Sequence, residues 1–288
     1  MIHPLPAAGV PPAFCAVNKN NLIICLKSYT LNSVWLPIRL KRKNTMITVK
    51  EIEEKSMTPE KKAMAKNDMF AFYIGRPLSY VLTIPFLYTN LTPNTISMIS
   101  IIPAVLGFIA ACVTGSKVGM IVSWILFFMW NLLDGVDGNV ARYRKQFSKM
   151  GSVYDAMAGY IASALMFYAG GIMAAHSAGP LVRAGLITAE ALVICGGLTA
   201  IVDLLPRLVM HKAVTTTMDK ESVKDVMDKA DYGLVKTIAL NLRSCAGGAQ
   251  ALLLVAILFN ITDLYTVCYL LFNTAVMIVS LRSVLKED

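Results

Sequence analysis

The sequence predicts an all-α integral membrane protein: a bundle of six transmembrane helices preceded by an interfacial amphipathic helix. Three observations carry that expectation. The chain is 56% hydrophobic and only 16% charged, where soluble domains are about 45–50% apolar and about 25% charged. The apolar residues are clustered, and from Asn94 to Leu285 they form stretches near the roughly 20 residues a helix needs to cross a bilayer. Most lysines and arginines between those stretches fall on one side, as the positive-inside rule expects, and the opposite loops carry only Lys117, Arg183 and Asp263. Helices are the natural way to span lipid here, because they satisfy their own backbone hydrogen bonds.

Residues 1–45 are proline-rich and basic and show no clear periodicity, so an unstructured extension is expected there. A targeting presequence is the alternative, but such peptides are richer in arginine and serine. A second segment, 46–91, begins at Met46 with a polar amphipathic stretch. It ends in FAFYIGRPLSYVLTIPFLYTN, which Arg76-Pro77 and Pro85 make unfit to span. A helix lying in the membrane interface, with its aromatics at the headgroups, suits it better. The membrane domain is expected over 92–284. Thr92 is a capping residue and Pro93 fits a first helical turn. Spans follow at about 94–114, 118–141, 152–175, 184–205, 246–262 and 264–282.

The loop after the second span carries Arg142, Arg144, Lys145 and Lys149, and the loop after the fourth carries Lys212, Lys220, Lys224, Lys229, Lys236 and Arg243. With Arg282 and Lys286 after the last span, all three groups share a side, which places both termini in the cytoplasm. Residues 211–243 suit either a partly helical cytoplasmic segment or a plain connection.

The net charge of +9 does not indicate nucleic acid. Six of the basic residues (Lys19, Lys27, Arg39, Lys41, Arg42, Lys43) lie in 1–45 without an acid, and with those removed the rest of the chain carries only +3. The six cysteines form no CxxC pair and the three histidines are scattered, which argues against a zinc site or a disulfide framework.

The chemistry is concentrated where the second span ends, WNLLDGVDGNVARYRKQ. Asp134 and Asp137 are three apart and share a helix face, and Gly138 and Ala141 leave that face open. A carboxylate within a spanning helix costs about 2.5–3.5 kcal/mol, so two need compensation. Arg142 could pair with one. A hard divalent cation compensates both, and oxygens beside glycine suit magnesium with a phosphate ligand. The plainer alternative is two solvated acids at the interface. The third span opens GSVYDAMAGYIASA, where Gly151 and Asp155 share a face. An antiparallel hairpin would bring Asp155 opposite the other two acids, just inside the cytoplasmic surface.

The segment DGVDGNVARYRKQFSKMGSVYDAMAG is similar to the signature of the CDP-alcohol phosphotransferase family, D-x-x-D-G-x-x-A-R, eight residues, then G-x-x-x-D-x-x-x-D. Asp134, Asp137, Gly138, Ala141, Arg142, Gly151 and Asp155 match in type and spacing. The resemblance implies displacement of CMP from a CDP-alcohol by a second alcohol. Carried over by position, Asp134, Asp137 and Asp155 would ligate Mg2+ or Mn2+. Gly138, Ala141, Arg142 and Gly151 would line the nucleotide and diphosphate, with Ser148, Asn94 and Ser97 as further candidates. The fourth aspartate, which in the family helps hold a second metal and acts as general base, is Gly159 here. One ion rather than two is therefore expected, and no catalytic base is assigned. Asp203 and Arg207, four apart in the fourth span, are either an acceptor-alcohol site or a satisfied ion pair.

Two functions remain open at this point. One is a transferase of phospholipid biosynthesis, with CDP-diacylglycerol the preferred donor and a small polar alcohol, phosphorylated to suit the basic rim, the acceptor. The other is a catalytically impaired relative that binds CDP-lipid or metal as a sensor or partner subunit. A transporter is disfavoured because the acids cluster at one end of the membrane. The expected partners are membrane lipid and the two substrates, with a homodimer left open.

Overall fold

In the computed structural model the chain divides into two units, Met1–Ile47 and Thr48–Asp288. The structure describes residues 21–26, 36–41, 47–58, 62, 65–66, 68–216 and 241–285, so most of the basic loop expected at 211–243 lies outside the described residues.

In the first unit, where the sequence suggests an unstructured extension, the described residues are two short strands. β1 (Asn21–Leu26) pairs antiparallel with β2 (Leu36–Lys41), Asn21 opposite Lys41 and Leu26 opposite Leu36. The cause is local, since NLIICL and LPIRLK combine β-branched and large apolar residues that favour extended backbone. Runs of six are too short to show a period against their proline-rich surroundings.

The regular elements of the second unit are all helices among the described residues. α1 (Val49–Ser56) starts at Thr48, whose hydroxyl accepts from the Glu51 amide at 3.2 Å, with the threonine-to-glutamate spacing of a capping box. Tyr143 ties it to the membrane bundle by donating to Glu51 Oε1 at 2.7 Å. A π-helical turn, Ala71–Gly75, leads into α2 (Arg76–Leu87) at the place expected for the interfacial helix. α2 turns its polar stripe inward, with Ser79 and Thr83 buried while Leu78 and Val81 are exposed. Asn139 meets that stripe, donating to Ser79 Oγ at 3.2 Å and Thr83 Oγ1 at 3.1 Å. Gly135 permits the approach, because a Cβ there would lie 2.9 Å from the Ser79 Cβ.

Arg144 secures the other end of α2. Its guanidinium donates to the carbonyls of Leu91 (2.6 Å), Phe86 (2.9 Å), Leu87 (3.2 Å) and Thr89 (2.6 Å). Phe86 and Leu87 lie in the last turn of the helix, whose carbonyls lack the full intrahelical pairing, and Thr89 and Leu91 lie in the connection that follows. Arg144→Ala is expected to lower unfolding stability by about 2–3 kcal/mol, the range for hydrogen bonds from a charged donor, read as a fall in melting temperature in detergent. Arg144→Lys should recover only part, since an ammonium cannot span four carbonyls.

Five helices are long and apolar enough to cross a membrane: α3 (Pro93–Val113), α4 (Lys117–Arg144), α5 (Gly151–Ser177), α7 (Ala189–Thr216) and α9 (Thr262–Leu285). Between α5 and α7 lies the short α6 (Pro180–Arg183), followed by Gly185 at φ 68°, so the fourth span starts later than expected. The expected fifth span, 246–262, contracts to α8 (Gly248–Phe259), 12 residues. That is about 18 Å long, short of an apolar layer of about 30 Å. Gly247, at φ −129° and ψ −118°, blocks extension at one end, and left-handed Asn260 closes the other.

The helices pack through small residues, as membrane helices do. Gly171 of α5 and Gly196 of α7 meet backbone to backbone: a Cβ on Gly171 would lie 2.6 Å from the Leu192 carbonyl oxygen and 2.8 Å from the Gly196 Cα. Large side chains such as Phe127, Trp130, Met166, Phe167 and Leu253 fill the centre, while Ile102, Leu106, Ile201, Leu271 and Val279 face outward. α3 packs along both α4 and α5, which carries its first turns into the site described below. Asp263, expected as a loop charge, is instead buried and accepts from the amides of Leu181, Val182 and Leu264.

Candidate active site

α4 runs unbroken to Arg144 and stops at Lys145, whose φ of 54° is left-handed. The turn that follows starts α5 at Gly151, and α5 runs back along the bundle. Asp155, just over one turn into α5, thereby meets Asp134 and Asp137 from the last turns of α4. One oxygen from each of the three carboxylates lies within 4.8 Å of the other two. Asp137 is the innermost at 6% exposure, Asp134 is half-buried and Asp155 is exposed, so the group opens on the α5 side.

α3 supports it from behind. Ser97 donates its hydroxyl to Asp137 Oδ2. One turn earlier, Asn94 Nδ2 donates to Ser148 Oγ at 3.0 Å. Gly151 sits beneath that contact, where a Cβ would come within 3.3 Å of the Ser148 hydroxyl.

Among the described residues, no salt bridge reaches any of the three carboxylates. Arg142 does not pair with them. Its Nη2 donates to Asn139 Oδ1 at 3.3 Å, and the guanidinium lies over Gly138, where a Cβ would be 2.9 Å from Nη2. Three converging carboxylates with no cation paired to them repel one another, and their hard oxygens fit Mg2+ or Mn2+.

Two cavities meet at this group. A smaller one, 260 Å³, is lined by Asn94, Ser97, Gly138, Ala141, Arg142, Ser148 and Gly151, together with Asp137 and Asp155. Every residue that the sequence suggested for nucleotide and diphosphate is therefore brought to one wall. A larger one, 820 Å³, adds Asp134, Asn131, Arg76, Arg207, Arg243 and Ser244. Asp137, Gly138, Arg142 and Asp155 line both.

Asp203 and Arg207 behave differently from one another. Asp203 is buried and accepts from Ser163 Oγ at 2.5 Å and Arg207 Nη2 at 3.0 Å, with Arg243 Nε at 3.7 Å. Arg207 and Arg243 reach the large cavity, so an ion pair and a cavity wall coexist. Burial lowers the Arg243 guanidinium from its usual value, and pushes the adjacent Cys245 thiol up to about 11. Cys245 is thus a neutral neighbour of Ser163 at 2.9 Å, not a nucleophile.

At Gly159, one turn beyond Asp155, an added Cβ would meet nothing within 4 Å. Tyr160, the next residue, is occupied elsewhere, with its hydroxyl 2.7 Å from His211 Nδ1. No further acid joins the three-carboxylate group among the described residues.

Arg76, Asn131 and Arg243 were not legible as site residues. Arg76 stood out as half of an arginine-proline element that interrupts its segment and resembles the family's, with no role assigned to it, and Arg243 as one of many loop cations. Asn131 lies one turn before Asp134 on α4, which was the available signal.

No curated protein matches the chain at a significant level. A sequence model of one family, described as CDP-alcohol phosphatidyltransferase, matches residues 90–281. The match spans well over half the chain and takes in the whole three-carboxylate site, and the chain belongs to the CDP-alcohol phosphatidyltransferase family.

Proposed function

We propose that the protein transfers a substituted phosphate from CDP-diacylglycerol to a phosphorylated alcohol, releasing CMP, at the cytoplasmic face of a membrane. The family implies transfer from a CDP-alcohol to an acceptor in lipid synthesis. The observation that carries the finer reading is the meeting of two cavities at three carboxylates, one lined by the nucleotide candidates and one walled by arginines.

Asp134, Asp137 and Asp155 would hold the divalent ion, with Ser97 fixing Asp137. When bound, such an ion draws charge from the diphosphate and makes CMP a better leaving group. Gly138, Ala141 and Gly151 leave the small cavity open to the nucleotide, and Asn94 and Ser148 offer it hydrogen bonds. Arg142, at the shared edge, neutralises the diphosphate. Arg207 and Arg243, held by Asp203, supply an anion subsite for the acceptor. The acceptor hydroxyl oxygen bonds to the phosphorus next to the alcohol, the bond to CMP breaks, and the hydroxyl proton leaves. With Gly159 at the usual base position, the acceptor's own phosphate or a water receives that proton.

Gly159 also favours a second reading, in which the chain binds CDP-lipid without turnover. Purified protein with Mg2+ and CDP-diacylglycerol distinguishes the two when offered neutral and phosphorylated alcohols in parallel. CMP release that depends on a phosphorylated acceptor supports transfer. Donor binding with background CMP release in every case supports the binding protein.

The proposed orientation follows from the basic loops. Ala184→Cys should label from outside the cell, and Val223→Cys only after permeabilisation. The opposite pattern would reverse the topology.

A further inference from the structure

We propose that Arg76 binds the phosphate that is transferred, on the large-cavity side of the diphosphate, while Arg142 holds the phosphate that leaves with CMP. The inference rests on the nucleotide-binding reading above and assigns a residue outside the signature. Arg76 opens α2 directly after the π-helical turn. Its Nη1 reaches the Met57 sulfur at 3.8 Å, a weak acceptor, and its Nε is buried without a hydrogen-bond partner. Arg142 Nε is likewise buried and unpartnered. Buried donors are almost always satisfied in folded proteins, so two guanidiniums with open donors on one cavity call for an anion.

The neighbouring cations differ in this respect. Arg207 and Arg243 are both ion-paired with Asp203, whereas no salt bridge involves Arg76 or Arg142 among the described residues. The placement then assigns the two phosphates. Arg142 lines both cavities and so stands at their shared edge, beside the nucleotide wall. Arg76 lines only the large cavity. Each guanidinium lies within the field of the other, and two like charges in a partly buried site are best stabilised by an anion between them. A diphosphate has the length and charge to do so, with one phosphate for each planar fork.

CMP and CDP separate the two roles, because CMP lacks the second phosphate. Titrated into the full-length protein in detergent with Mg2+, Arg76→Met should bind CDP about 10–100-fold more weakly than the wild type. Its CMP affinity should stay within about 2-fold, well under one hydrogen bond from a charged group, and that retained binding reports an intact site. Arg76→Lys should fall between, and Arg142→Met should weaken both nucleotides. Arg76→Met or Arg76→Lys that binds CDP like the wild type, or that weakens CMP and CDP equally, overturns the assignment. Wild-type protein that binds neither nucleotide overturns the nucleotide reading itself.

Discussion

Gly159→Asp should raise CMP release by about 10²-fold or more, within the usual contribution of a positioned general base. Residue 159 follows Asp155 by four on α5, so the new carboxylate stacks on the same helix face. The space is there, since a Cβ at 159 meets nothing within 4 Å. The change costs the helix little, because glycine is already a poor helical residue. The carboxylate would accept the proton of the attacking hydroxyl and add a fourth oxygen ligand beside Asp134, Asp137 and Asp155. Manganese titration followed by electron paramagnetic resonance should then show a second ion per chain. Adding Asp134→Asn to the same background should remove the gain. A Gly159→Asp variant that binds the second ion but releases no CMP from any donor rules out a latent transferase and leaves the binding protein.

Asp137→Asn is the largest expected loss. Asp137 is the most buried of the three acids and the one that Ser97 holds. Without its charge the divalent ion loses a ligand at the centre of the group. Stabilisation of several kcal/mol from such an ion corresponds to about 10³-fold in rate. Manganese binding should fall in parallel. Melting temperature without metal should hold or rise, because one of three mutually repelling carboxylates has gone. A fall in stability equal to the fall in activity would mean that Asp137 is a structural residue.

How much was legible in the sequence depended on how local each feature is. The first span, expected over 94–114, is α3 at Pro93–Val113, because Thr92-Pro93 is a complete start signal. The three acids were legible because helical spacing puts Asp134 with Asp137, and a short turn returns Asp155 to them. α8 was not, since an apolar run does not reveal that Gly247 and Asn260 adopt the backbone angles that end it. The β1–β2 hairpin was missed because pairing joins residues up to twenty apart, Asn21 to Lys41. Asp263 caps α6 across a distance that the sequence does not encode locally. The large cavity is likewise a product of assembly. Its arginines come from α2, α4, α7 and the turn before α8, and neither the proline after Arg76 nor the loop around Arg243 shows that they share a cavity.

The end of the α4–α5 hairpin is proposed to hold a nucleotide phosphate through a divalent ion on three carboxylates. Equilibrium titration of CMP into wild-type protein, with Mg2+ and then with the ion chelated, tests it most directly. Saturable binding with Mg2+ that is lost on chelation, and lost in Asp137→Asn even with Mg2+, is the expected result. Binding that survives both chelation and the substitution would contradict the claim.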